Sequence, residues 1–412
     1  MKVLQVNCVY KKGSTGKIVY DIHTGLLKLG YGSVVCYGRG ETIKDSGIYK
    51  TSTEFYSHVN KFISLLTGIM YGGCFFSTKK LISVIKKENP DVVHLHCING
   101  NFVNIYRLIS WLKQNKVKTV LTLHAEFMYT GGCGHAFNCG QWRLDAGCGH
   151  SKCPRAREEF GSAFLVRTSA MWRKMKKAFD GFDTELVVVS PSYWLDDRAS
   201  SSPVLKGKKH RVIMNGVDTD NIFHPAGTGE ISSLKQELNI GNGKTVFHAT
   251  PEFSADPGHI KGGYYVIELA KRMPEVKFVV AGSAADDICV PDNVILLGAV
   301  SDQKKLAALY SMADLTVLTS RKETFSMVTA ESLCCGTPVV GFRSGAPEQI
   351  ALAEYSDFVE YGDTDALCDA VRKYLGRCFR TDIISICAKE KYSKTRMVEE
   401  YLNEYSDITK GS

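Results

Sequence analysis

No run in this 412-residue chain reaches the roughly 18 apolar residues that a membrane span needs. The longest candidate, residues 62–76, is shorter and is broken by glycine. The first ten residues lack a cationic stretch followed by a long apolar core, so they read as a buried strand and not as an export signal. Without that signal, the 14 cysteines point to reduced thiols or a metal site more than to a disulfide framework. There is no internal repeat, no low-complexity tract, and no base-stacking aromatic array, so nucleic acid is not an expected partner.

The composition is that of a globular protein, 44% hydrophobic and 23% charged, and the length suits two domains of roughly 200 residues each. The net charge of +8 is unevenly spread. Residues 1–212 carry 31 Lys and Arg against 15 Asp and Glu, whereas residues 213–412 carry 20 against 28. A basic half joined to an acidic half implies that one domain meets something anionic.

Short β-branched runs alternate with helical patterns: 2–9, 33–38, 91–97, 118–124 and 185–190, then a restart after residues 211–218. Such near-continuous apolar runs fit parallel strands covered on both faces, and alternating units of this kind build doubly wound α/β sheets. The expected organisation is a first domain over 1–200, a linker around 191–225, and a second domain over 210–387. A last helix, about 388–408, is expected to pack back on the first domain.

The segment 323–332, ETFSMVTAES, lies between a strand and a Gly turn. Glu323 then falls in the loop at a strand's carboxyl end, where open α/β sheets bind ligands. Phe325, Ser326, Met327 and Val328 open the next helix, and their backbone N–H groups favour a phosphate. Glu331, about two turns into that helix, is placed to accept from two ribose hydroxyls. One carboxylate would address the sugar end of a nucleotide sugar and the other its nucleoside end. Lys261, just ahead of a helix, would neutralise a pyrophosphate leaving group. The glycines of residues 11–18 permit close backbone approach, with Gly16 and Lys17 opening a helix. His124 sits at a strand end, and His94 and His96 alternate across another strand. Cys133, Cys139, Cys148 and Cys153 share one long connection, in which four thiolates would close a structural zinc site, with His135 or His150 as substitute ligands. Residues 165–182 form a basic helix whose Met171, Trp172, Met175 and Phe179 face either the sheet or an anionic lipid surface.

Over almost its whole length the chain resembles the GT4 family of retaining glycosyltransferases, which have the GT-B fold of two facing Rossmann-like domains with a cleft between them. The resemblance rests on Glu323 and Glu331 in the E-x7-E pattern, on Gly336-Thr337-Pro338, on Gly345 to Glu348, and on Asn215 to Asp218. Within the family, residues 122–154 and 189–195 are similar to the branch that builds bacterial capsular and exopolysaccharide repeats, such as colanic acid.

The resemblance implies transfer of a sugar from a UDP- or GDP-sugar to a lipid-linked oligosaccharide, with retention and with no metal required. It assigns the donor sugar to Glu323 and His124, the pyrophosphate to Lys261, and the donor phosphates and sugar to the loop containing Gly13, Gly16 and Lys17. It further implies a cytoplasmic protein, peripherally attached to the inner face of the plasma membrane. One departure stands out: the family's Arg ahead of the lysine is absent from residues 248–263, and Arg321 is the nearest substitute. A non-catalytic binding protein that kept the fold is the alternative.

Overall fold

A computed structural model describes residues 1–149, 152–160 and 166–411, and the chain divides into two compact units. The first comprises residues 1–214 and 397–412 and the second residues 215–396. Thus the stretch expected as linker is largely ordered structure of the first unit.

The first unit is built on β1 (Lys2–Asn7), β2 (Gly32–Tyr37), β3 (Ile48–Lys50), β4 (Val92–Leu95), β5 (Thr119–Thr122), β6 (Leu186–Ser190) and β7 (Lys209–Val212). Its helices are α1 (Gly13–Lys28), α2 (Glu54–Thr67), α3 (Phe75–Glu88), α4 (Ile105–Gln114), α5 (Ala156–Phe160), α6 (Thr168–Phe179) and α7 (Tyr193–Ser200). All strands pair in parallel, in the order β3-β2-β1-β4-β5-β6-β7. The central strands are buried on both faces, in keeping with their largely apolar, β-branched sequences.

The second unit carries β8 (Thr245–Phe253), β9 (Lys277–Ala284), β10 (Val294–Leu296), β11 (Leu315–Leu318), β12 (Val339–Phe342) and β13 (Ser356–Val359). Its helices are α8 (Thr228–Glu237), α9 (Gly263–Arg272), α10 (Gln303–Met312), α11 (Met327–Cys334), α12 (Pro347–Ile350), α13 (Thr364–Leu375) and α14 (Thr381–Tyr392). The strand order β10-β9-β8-β11-β12-β13 is again that of a doubly wound sheet.

The final helical pattern is two helices. It breaks at Ser393, and α15 (Lys394–Lys410) returns to the first unit. There Met397, Tyr401, Tyr405 and Ile408 join Ile18, Ile22, Leu26 and Val120 in one core. Gly25 permits this approach: a Cβ there would sit 2.8 Å from Val398. The chain's exit from and return to the first unit are tied together, with Val217 N–H donating to Tyr392 O at 2.7 Å and Lys394 N–H to Val217 O at 2.9 Å.

The basic helix α6 buries Met171, Trp172, Met175 and Phe179, so its apolar stripe belongs to the core and not to a lipid surface. Leu165, expected at its start, lies outside the described residues. Among the described residues no helix is long and apolar enough to cross a membrane.

Candidate functional site

In the second unit the order of strands reverses between β8 and β11, and the crevice outside their carboxyl ends is where doubly wound sheets bind ligands. Lys261 lies on the loop after β8 and Glu323 on the loop after β11. Their side chains meet there, with Nζ 2.8 Å from Oε1, and both are partly buried. The lysine loop is pressed against the end of β11. Gly262 has φ 67°, and a Cβ on it would fall 2.2 Å from Thr319 O. Thr319 Oγ1 donates to Lys261 O at 3.1 Å. Only glycine fits this turn, so the backbone that carries Lys261 is fixed by the strand that leads to Glu323.

Glu323 is held from the other side. Its N–H donates to Ser344 O at 3.0 Å, and Ala346 N–H donates to its carbonyl at 3.2 Å. The Glu348 carboxylate accepts from Ser344 N–H and Gly345 N–H, which closes the Gly345–Glu348 loop on itself. Arg321, the expected substitute for the absent arginine, places its guanidinium 6.0 Å from the Tyr361 ring centroid.

Helix α11 begins at Met327, capped by Ser326, whose Oγ accepts from Thr329 N–H at 3.2 Å. Ser326 has φ 84°, a strained value for a residue with a side chain, of the kind that collects at ligand-binding turns. Phe325 is buried, whereas Met327 and Val328 are partly exposed. Glu331 is the fifth helical residue, one turn in and not two. Its Oε2 accepts from Tyr310 OH at 3.1 Å. Burial, and then the Glu331 charge, hold the Tyr310 phenol well above its ordinary pKa, so it remains a donor. Nothing in the spacing of α10 announces that Tyr310 orients Glu331.

In the first unit the residues of interest again cluster at carboxyl ends. Helix α1 starts at Gly13 and not at Gly16, with Lys12 as an N-cap that supplies no side-chain bond. Space is open around Gly13 (φ 65°), while Gly16 is buried against Val9. Lys17 is partly exposed in the second turn.

His124 follows β5 and His96 follows β4, and the rings stack with His96 Nδ1 3.3 Å from His124 Nε2. His96 Nε2 lies 3.1 Å from Gln5 Oε1, whose amide is oriented by Nε2–H donating to Val19 O. Burial lowers the pKa of His96 well below its ordinary value and that of His124 to about 4, so both rings are neutral. The chain of roles follows. Gln5 Oε1 accepts, so His96 carries its proton on Nε2 and accepts on Nδ1, so His124 donates from Nε2 and keeps Nδ1 as its acceptor. His94 is deeper, bonded to Tyr405 OH and Thr122 Oγ1 at 2.7 Å each.

The long connection after His124 is organised by a residue that sequence reasoning passed over. Glu126 is fully buried, and it accepts from Arg198 Nε at 2.6 Å, Tyr129 OH at 2.8 Å and Ala136 N–H at 2.6 Å. The expected zinc site is not supported by the side-chain geometry. Cys133 packs with Phe160 and Met171, and Cys148 Sγ accepts from Gly131 N–H at 3.1 Å. Burial raises the pKa of Cys133 and takes that of Cys148 to about 12 where no metal is bound. Among the described residues no three His, Cys, Asp or Glu side chains, Cys139, Cys153 and His135 included, are grouped to hold a metal ion. His150 lies outside the described residues.

Comparison with known proteins places this geometry. Residues 15–221 match the model of Glycosyltransferase Family 4, and residues 260–377 that of Glycosyl transferases group 1. WcaC of Escherichia coli (strain K12), named for colanic acid biosynthesis, is 23% identical over 432 aligned positions, covering 99% of this chain and all of WcaC. The N-acetyl-alpha-D-glucosaminyl L-malate synthase of Bacillus anthracis is 22% identical over 80% of this chain and 78% of its own. Among solved structures, Anabaena HepE in complex with UDP and glucose superposes with a TM-score of 0.67 at 14% identity, covering 98% of this chain and 99% of HepE. Sucrose-phosphate synthase from Thermosynechococcus elongatus gives 0.68 at 14% identity over the full length of both chains. With two parallel doubly wound sheets, the paired glutamates of the second, and a family match over half its length, the chain belongs to glycosyltransferase family 4 and has the GT-B fold.

Proposed function

We propose that this glycosyltransferase moves a sugar from a UDP- or GDP-sugar to a hydroxyl of a lipid-linked oligosaccharide, with retention, in the assembly of a capsular or exopolysaccharide repeat. The observation that carries the reading is the meeting of Lys261 and Glu323 at 2.8 Å beside the start of α11, with Glu331 oriented by Tyr310 one turn further on. In this reading the second unit holds the nucleotide. Glu331 accepts from the ribose hydroxyls, the N–H groups at Phe325 to Val328 face the phosphates, and Arg321 lies beside them. Lys261 neutralises the diphosphate as it leaves, while Glu323 orients the donor sugar. The lysine is held by the glutamate before donor arrives, so its charge is in place without reorganisation.

The acceptor oxygen attacks the anomeric carbon on the face from which the diphosphate departs. The bond from that carbon to the phosphate oxygen breaks, the new glycosidic bond forms, and the acceptor proton passes to a donor phosphate oxygen. His124 addresses the transferred sugar, and the glycine turn around Gly13, Gly16 and Lys17 approaches the donor. Lysine and backbone N–H groups carry the phosphate charge, so the proposal requires no metal. The first unit presents the acceptor at the inner face of the plasma membrane, to which the protein attaches peripherally. The colanic acid name of WcaC supports the class of product, and the UDP and glucose bound by HepE support the class of donor.

A calorimetric screen against UDP, GDP, ADP and their sugars tests this. One nucleotide sugar should bind and stabilise the native chain. Glu331→Ala should weaken that binding about tenfold or more, the loss expected for charge-assisted hydrogen bonds. If no nucleotide binds the wild-type chain, the absent arginine is decisive and a non-catalytic binding role replaces this reading.

A further inference from the structure

Helix α2 is folded inside out. Its buried residues are Ser57, Asn60 and Ser64. Its apolar residues face solvent: Phe55 is 79% exposed, Phe62 60% and Leu66 60%, with Val59 and Ile63 also exposed. The spacing 55, 59, 62, 63, 66 puts all five on one face of the helix. The rotation of the helix is fixed by hydrogen bonds on the buried side. Asn60 Oδ1 accepts from Cys74 N–H at 2.6 Å, Ser57 Oγ meets Ser52 Oγ at 3.1 Å, and Ser64 Oγ donates to Asn101 Oδ1 at 3.3 Å. A helix whose polar face is satisfied inside and whose apolar face is bare outside is built to be covered.

The apolar face continues onto α3, where Phe75 is 52% and Phe76 72% exposed. The Arg107 guanidinium lies 4.5 Å from the Phe75 ring centroid. Arg107 in turn lines a pocket of about 370 Å³ with Lys113, Lys174 and Lys177, and with Gly72 from the loop between the two helices. The pocket has no acidic lining residue. Residues 51–80 hold Lys61, Lys79 and Lys80 against a single acid, Glu54, which is bonded to Arg39.

We infer that this face, α2 and the start of α3 with the Arg107–Lys113–Lys174–Lys177 pocket beside it, docks the protein onto an anionic lipid bilayer. The apolar side chains enter the boundary between headgroups and acyl chains, and the pocket receives a lipid phosphate. Charge decides between a bilayer and a second copy of this chain. A two-fold dimer through this patch would set the same cations against each other, whereas an anionic surface pairs with all of them. The inference rests on the proposed membrane attachment and gives that attachment its residues.

The test is vesicle flotation of the full chain, with phosphatidylcholine alone and with about 30% phosphatidylglycerol added, at roughly physiological ionic strength. Binding should require the anionic lipid. The exposed pairs Phe62→Ser with Leu66→Ser, and Lys174→Ala with Lys177→Ala, should each lower partition about tenfold or more. Nucleotide-sugar binding, measured by calorimetry on the same preparations, should be unchanged and reports separately on the donor site and on folding. Equal vesicle binding by both variants and wild type, or no binding by wild type, overturns the inference. So does wild-type self-association in ultracentrifugation that Phe62→Ser with Leu66→Ser abolishes, since the face would then belong to a second copy. Intact vesicle docking with no donor binding would instead remove the functional reading and leave the docking face standing.

Discussion

Gln5 is an unassuming residue on β1, yet it sets the chemistry of a histidine far along the chain. Its amide oxygen takes the Nε2 proton of His96, and the neutral His96 then has only an acceptor to offer His124. In the proposed mechanism, His124 therefore carries its proton on Nε2. Gln5→Leu removes the acceptor and frees His96 to move its proton to Nδ1, which forces His124 into the opposite tautomer. Imidazole nitrogen chemical shifts should report His124 protonated on Nε2 in the wild type and a mixed population in Gln5→Leu. Turnover should fall about tenfold, within the range for loss of a correctly protonated polar group, while the KM for donor changes little. An unchanged His124 tautomer in the variant would remove the relay. Tyr310 does the corresponding service for Glu331, and neither partner is announced by spacing, because Gln5 acts from the neighbouring strand and Tyr310 from the neighbouring helix.

At the scale of elements, the central strands and the carboxylate helix were legible because periodicity and parallel burial write them into composition: 92–95, 119–122, 186–190, 315–318 and 339–342 are rich in β-branched and aliphatic residues and buried throughout. The edge strands β3 and β13 were not legible. Each is short and partly exposed, and each exists through pairing with β2 or β12. Glu323, Glu331 and Lys261 were legible as residues, but the 2.8 Å contact between Lys261 and Glu323 is a product of topology. Helix α2 was hidden for the opposite reason: a pattern read with the apolar face inward gives the wrong side. The turn before α9 shows how far an element depends on one backbone position. Gly262→Ala meets a positive φ and the Thr319 carbonyl together, so it should destabilise the second unit by about 2–3 kcal/mol. It should also displace Lys261. Chemical denaturation and donor calorimetry would register both effects, and a variant as stable as wild type would mean the loop relaxes freely.

At the scale of the whole molecule, buried neutral histidines make stability depend on pH, and they do so unequally in the two units. His94 and His96 have pKa values pushed well below the ordinary range by burial, His124 lies at about 4, and His23 is also lowered. All four belong to the first unit. In the second, His248 is held at about 4 by burial, the Lys261 charge adding to the shift, although its bond to Val317 O opposes it. Each folded pKa is below the unfolded value of about 6.5, so between these values the unfolded chain binds more protons. Stability is therefore complete above about pH 6.5 and is lost as pH falls toward the folded pKa, at up to about 1.4 kcal/mol per pH unit for each group. The shifted carboxylates work in a lower window. Asp218, for example, has a pKa below the ordinary aspartate value, so its contribution is lost only in more acid solution. Between about pH 6.5 and 5 the histidines act alone. Scanning calorimetry over that interval should show the transition of the first unit moving down more than that of the second, because four groups oppose one. Added nucleotide without its sugar, which by the proposed reading is held by the second unit, should raise chiefly the transition that moves less with pH, and so identify it. Equal displacement of both transitions would mean that the histidines of the first unit find proton acceptors in the native state. The neutral tautomers assigned to His96 and His124 would then be wrong.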